Sequence, residues 1–348
     1  MAELVFVLAD FPSPQEPAGR DGHAPDGRPR LPLLETLLAR ARVVPLDPDW
    51  RGWLARRAAG TGLAPATLAA TVAAAWEQAG APRHAGGQVW LATPVHYFAG
   101  LDSVHLHPAG LLRLDRAEQH RLVADFERVF ADSGWKLTTL GRRELLLRGP
   151  AAAASGADPA LFAGNDPSPG LPAGAGGAAL RGLGAEIEMW LYEHPLNLER
   201  RDRGELPVTT LWLWGSMRHS GAATLDVASS NGARPAQLLG QDTYAEALWR
   251  LQGEGIQALP ESLDAVRLAT DVDHIVLYPV LQPEGLSSAL QAFEQRWLHG
   301  ALRALRQRRV SRLRLLVGPR GYSLSWPQLA RIWRARAPWW ETLAETTS

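Results

Sequence analysis

The run from Glu186 to Arg218, EIEMWLYEHPLNLERRDRGELPVTTLWLWGSMR, constrains the fold more than any other part of the chain. It joins an amphipathic helix, a proline stop and a strand that is apolar on both faces. In the helix, Leu180, Leu183, Ile187, Trp190, Leu191 and His194 fall within one stripe about 100° wide. Pro195 disfavours helical geometry at His194 and ends the helix there. Val208 to Trp214 is apolar at both alternating sets of positions, so it belongs in a sheet covered on both sides. Such a helix leading into such a strand predicts layers of helix on sheet.

The rest of the chain extends this pattern. Leu4 to Ala9, His274 to Val280, Arg312 to Val317 and Ala223 to Ala228 are predicted strands, with helices around Tyr244 to Gln252 and Leu286 to Arg306. Leu68, Val72 and Trp76 recur every four residues in a helix between Pro65 and Gly80. VWLATPVHYF and SVHLHP are strand-like, and Asp115 with Glu118 forms a D-x-x-E start to a helix that faces Leu122, Phe126 and Phe130 inward. Trp135 to Leu140 and Glu144 to Arg148 suggest a hairpin. Phe11 to Arg30 is a polar, Pro/Gly-rich loop. The Ala/Gly/Pro-rich stretch 150–179 has no periodicity and suggests a linker or surface excursion. The expectation is an α/β protein with a layered mixed or parallel sheet and flanking helices, in two lobes: 1–149 and 180–348, separated by 150–179.

Composition narrows the chemistry. The 348 residues carry 36 basic and 36 acidic side chains, so no global field draws the chain to nucleic acid or to an anionic membrane. No cysteine occurs, which excludes disulfides, Fe–S clusters, thiolate zinc sites and cysteine nucleophiles. The apolar run at the N-terminus is too short for a signal peptide core and none reaches the roughly 18 residues of a membrane span, so a cytoplasmic location without a membrane partner is expected.

Three groups of residues could carry function. Glu186 and Glu193 flank the helix stripe roughly 10 Å apart, too far to share one proton or one metal, while His194 at the helix end suits either a core position or a site. His105 and His107 have the i, i+2 spacing that lets two imidazoles on one strand face chelate a divalent metal, with His96 or Asp102 completing the set. From Arg303 to Arg336 there are ten arginines and no acidic residue, with Tyr322, Trp326 and Trp333 between them. Arg303, Arg306, Arg308, Arg309, Arg312 and Arg314 beside stacking aromatics could hold single-stranded nucleic acid, or could be a solvated basic face. No P-loop and no G-x-S-x-G elbow is present.

Glu186 to Met189, His194-Pro195, Asn197, Glu205-Leu206-Pro207 and Leu211 to Gly215 resemble the proteobacterial regulatory protein RpfE family, also labelled 2,3-bisphosphoglycerate-independent phosphoglycerate mutase-like. Pro94-Val95-His96 with Asp102, and RLRLLVGPRGYSLSWPQLARIWR, fit the same family, so the resemblance touches most of the chain from Gln88 onward. The chain departs from it at Ala185, Glu188 and Tyr192, where the family tends to have Asn, Gln and His, and at Ser216 in place of a second glycine. The resemblance implies an α/β regulatory or ligand-binding protein. Its mutase label implies, alternatively, a metal-dependent phosphotransferase, for which Asp10 and the Asp273-His274 pair are the nominees. A two-metal site needs roughly six to eight ligands, and only scattered ones can be named. The expected site for an anionic ligand is therefore the crevice at the carboxyl end of Val208 to Trp214, formed by Glu186, His194, Asn197, Gly215, Ser216 and Arg218. A protein partner is the other possibility.

Overall fold

The computed structural model describes residues 1–12, 28–46, 49–59, 67–80, 87–100, 103–150, 154–173, 176–216, 234–281 and 285–344. In chain order the elements are β1 (Glu3–Ala9), α1 (Pro32–Arg40), β2 (Arg42–Pro45) and α2 (Trp50–Ala59). Then come α3 (Leu68–Gln78), β3 (Gln88–Ala99), β4 (Val104–Leu111), α4 (Arg116–Val129), β5 (Lys136–Thr139), β6 (Leu145–Gly149), α5 (Gly177–Tyr192), α6 (Pro195–Asp202) and β7 (Thr210–Trp214). The chain closes with β8 (Ala236–Leu239), α7 (Thr243–Leu251), β9 (Ile256–Gln257), β10 (Asp273–Pro279), α8 (Leu286–Phe293), α9 (His299–Arg306), β11 (Arg312–Val317), β12 (Arg320–Ser325) and α10 (Trp339–Ala344). The strand expected at Ala223 to Ala228 and the centre of the Phe11 to Arg30 loop lie outside the described residues.

Two compact units emerge, and they correct the expected division. Unit 1 combines Met1–Ala64 with Ser220–Ser348, and unit 2 is the intervening Pro65–His219. The boundary expected at 150–179 fails because strand pairing is not colinear with the chain. β1 pairs with β10 and β11, and β7 pairs with β3. Nor is 150–179 a linker. The Trp90 indole donates to the Ala154 carbonyl at 2.6 Å, Trp212 donates to Ala157 at 2.8 Å, and Gly156 bridges to Trp214, so this stretch packs inside unit 2.

Unit 1 is a mixed sheet in the order β2-β12-β11-β1-β10-β8-β9. The strands from β11 to β9 run parallel, while β12 and β2 are antiparallel additions at one side. β1 is buried at nearly every position, as a parallel strand covered on both faces must be. On one face Phe6 packs edge-on against Phe293 and Trp297, at 5.1 and 6.1 Å between ring centroids. Those aromatics come from a helix running from α8 into α9 through a π-helical turn at Glu294–Leu298. The N-cap of α1, Leu31, has no capping side chain, and the Glu294 carboxylate serves instead by accepting from the Leu33 and Leu34 amides at 2.9 and 2.8 Å. Burial outweighs these hydrogen bonds and holds the Glu294 carboxyl above its usual range.

The named strands of unit 2 all pair antiparallel, and the Gly156 bridge to Trp214 is parallel. β3 is its spine and pairs with β4, β6 and β7, and β5 extends it beyond β6. α4 opens with the expected capping box between Asp115 and Glu118. Leu183, Ile187 and Leu191 of α5 and Leu122 and Phe126 of α4 join Leu211 and Leu213 of β7 in one core. Pro195 does more than stop α5, because it is the first residue of α6, with His194 as the N-cap.

Candidate functional site

The crevice expected around β7 does not assemble, because its nominees sit at opposite ends of the strand. Asn197 lies at the amino end, where its side chain donates to the Leu191 and Val208 carbonyls at 2.7 and 2.8 Å and accepts from the Val208 amide at 2.7 Å. Its polar atoms are committed to backbone and it is 1% exposed. Gly215 and Ser216 lie at the carboxyl end, about 20 Å further along at strand rise. There the Gly215 carbonyl accepts from Ala69 at 2.9 Å and the Ser216 amide donates to the Ser155 hydroxyl at 3.2 Å. Gly215 has a φ of +77°, which explains its glycine. Glu186 is exposed on α5. Arg218 lies outside the described residues.

His194 is a core residue at a helix junction. Nδ1 accepts from the Leu196 amide at 3.2 Å, and Nε2 lies 3.2 Å from Asp125 Oδ2 without hydrogen-bond alignment. Burial lowers its pKa, and the attraction of Asp125 offsets that only in part. Nearby, Arg200 donates to both oxygens of Glu118 at 2.9 Å, and Arg203 joins the same carboxylate. The HPLNLER segment therefore builds structure.

The histidines of β3 and β4 share a face, as expected. His96 and His107 stand 5.8 Å apart by ring centroid, and Phe98 contacts both His105 and His107. Their hydrogen bonds, however, divide their roles. His96 Nδ1 lies 2.9 Å from the Pro207 carbonyl and must carry its proton there, which leaves Nε2 with a lone pair. His107 Nδ1 accepts from the Ala109 amide at 3.1 Å, so its proton sits on Nε2 and no lone pair faces outward. His105 Nε2 lies 3.0 Å from the Ser103 hydroxyl. Among the described residues no group of three His, Asp or Glu side chains is arranged to hold a metal, and Asp102 lies outside them.

Asp10 and Asp273 are separated in the same way. β1 and β10 run parallel, with Leu4 beside His274 and Ala9 beside Pro279, so Asp273 precedes this ladder and Asp10 follows it. The two carboxylates are about 20 Å apart. Asp273 accepts from the Glu3 amide at 2.9 Å and from Arg57 at 3.0 Å. His274 is 1% exposed, and its Nε2 accepts from the Ala269 amide at 3.0 Å.

A concave site of unit 1 among the described residues lies elsewhere, where α2 faces β2, β12 and β11. Its cavity of about 230 Å³ is bounded by Val44, Trp53, Arg56, Arg314, Tyr322 and Ser323, among others. Gly321 lies on the floor in close packing, where a Cβ would stand 3.2 Å from Leu46 and 3.3 Å from Leu316. Arg314 is held in place by Glu3, to which it donates from Nε at 2.8 Å, and Arg312 donates to the same carboxylate at 3.0 Å. Glu3 is thus shared between two guanidinium groups, and Arg56 of α2 lines the same cavity as Arg314. Two guanidinium groups, an indole and a hydroxyl converge on one pocket, a donor set that suits a small anion. Of the residues that bound it, sequence reasoning nominated Arg314 and Tyr322. Trp53 and Arg56 are one turn apart on α2, but nothing local indicates that β12 and β2 pair to form the floor.

No known protein family matches the chain, and no curated protein matches it in sequence. Among solved structures it is similar to the cofactor-independent phosphoglycerate mutase of Thermoplasma acidophilum, at 14% identity and a TM-score of 0.36 over 93% of this chain and 90% of that one. It is also similar to the PH0037 protein of Pyrococcus horikoshii, at 11% identity and a TM-score of 0.41 over 93% and 87% of the two chains. At such scores neither carries a residue role or a reaction across. The α/β layering rests on the strand pairing itself, and among the described residues no helix is long and apolar enough to cross a membrane.

Proposed function

We propose that this chain is a regulatory, ligand-binding protein of the RpfE-like kind, without mutase chemistry, that takes a small anionic ligand in the Arg56 and Arg314 pocket of unit 1. The observation that carries this reading is the convergence of two arginines with Trp53 and Ser323 on one cavity. Arg314 reaches it already oriented by Glu3, so little side-chain entropy opposes binding. Phosphate or carboxylate oxygens would take bidentate hydrogen bonds from the guanidinium groups, and Trp53 would cover the apolar part of the ligand. The competing reading, a metal-dependent phosphotransferase, needs Asp10 and Asp273 to work together, and the parallel β1 and β10 ladder holds them apart.

Isothermal titration with inorganic phosphate and with 3-phosphoglycerate tests the proposal, alongside a mutase assay containing Mn²⁺. Binding of either probe should weaken by about tenfold or more in Arg56→Ala and in Arg314→Ala, as loss of a charge-assisted contact requires. Affinity unchanged in both variants would discard the pocket, and turnover of 3-phosphoglycerate would restore the enzyme reading.

A further inference from the structure

We infer that unit 1 carries a second ligand surface, independent of the anion pocket: the strip from Trp326 to Arg336, with the arginines that close α9, docks single-stranded nucleic acid. The structure sorts the arginines of this region into two groups. Arg312 and Arg314 are tied to Glu3, and Arg331 and Arg334 donate to the Arg40 and Ala39 carbonyls at the end of α1. These four are committed to those contacts, Arg314 also lining the anion pocket. Arg303, Arg306, Arg308 and Arg309 instead lie exposed and make no ion pair among the described residues.

Trp326 stands beside this charge, and Trp333 follows it in the same segment. The Arg308 guanidinium stands 4.3 Å over the ring of Trp326, and Arg308 has a φ of +57°, which non-glycine residues rarely adopt. Trp326 is 46% exposed, and Trp333 and Ile332 are each 76% exposed. A tryptophan that open at the end of a chain segment without an acidic residue offers a base a stacking face and its phosphate a cation. Unpaired bases are required for stacking, so the ligand is a single strand rather than a duplex. An anionic bilayer could also meet tryptophan and arginine together, and the experiment separates the two.

The test is fluorescence anisotropy of labelled oligo(dT) and oligo(U), each about 15 nucleotides long, titrated with the full chain. Saturable binding is expected, weakening about 50-fold between about 50 and 200 mM salt if four phosphates are neutralised. Trp333→Ala, at a position too exposed to disturb folding, should weaken it about tenfold. Joint reversal of Arg303, Arg306 and Arg309 to Glu should abolish it and leave phosphate binding by the Arg56 pocket unchanged. A preference for one oligonucleotide would identify the natural strand as DNA or RNA. The inference is overturned by no saturable binding at low salt, by full affinity in Trp333→Ala, or by tighter binding to phosphatidylglycerol vesicles than to either oligonucleotide.

Discussion

The two units are stabilised by different means. In unit 1 the central strands are parallel and buried on both faces, and the core is a continuous apolar layer in which Phe6, Phe293 and Trp297 interlock. In unit 2 the sheet is antiparallel, and polar side chains join the connections to it. Asn197 closes on Val208, Arg200 and Arg203 converge on Glu118, and the indoles of Trp90 and Trp212 reach backbone carbonyls in the segment before α5. The contrast follows from connectivity. Crossover helices cover a parallel sheet chiefly with apolar surface, polar ties such as Glu294 to α1 being local, whereas unit 2 must hold long irregular connections against its strands, and backbone polar groups in those connections need partners.

Substitutions can test this contrast. Trp297→Ala should have the largest effect, about 4 kcal/mol lost from unit 1 by cavity formation, read by chemical denaturation. Asn197→Ala follows at about 3 kcal/mol from unit 2, because the buried Val208 amide and carbonyl lose their side-chain partner. A loss below about 1 kcal/mol there would mean that unit 2 is held by apolar packing as unit 1 is. Gly240→Ala probes unit 1 again. Its φ is +111° and a Cβ would stand 2.4 Å from the Leu277 carbonyl oxygen, so about 2 kcal/mol or more should be lost.

Acid should have a smaller effect through the buried and half-buried histidines. His96, His194 and His274 are all held below the ordinary histidine pKa, in each case chiefly by burial. The unfolded chain therefore binds protons first as pH falls. The stability these groups contribute is complete above the unfolded value of about 6.5 and declines as pH drops through their folded values. His194→Asn keeps an N-cap acceptor and should flatten that decline in a series of melting temperatures between neutral pH and pH 5. An unaltered slope would place the acid sensitivity on the other two histidines. The smallest effect is expected for Glu186→Ala, within about 0.5 kcal/mol, because the side chain is exposed on α5.

The sequence alone determined the local elements. The stripe on α5, the capping box at Asp115 and Glu118, the hairpin of β5 and β6 and the buried character of β7 all follow from periods and residue types within a few turns of chain. The i, i+2 alternation correctly placed His105 and His107 on one face. Tertiary structure alone decided which strands distant in the chain pair. That pairing put Asp10 and Asp273 at opposite ends of a ladder and made Asn197 a fastener for β7. It also returned β8 through β12 to the sheet begun by β1 and set Arg56 and Arg314 around one cavity. The physical reason is range. Hydrophobic periodicity records which face of an element is buried, but β1 and β11 meet across about 300 residues of chain, and only the minimum of the whole packing energy selects that partner.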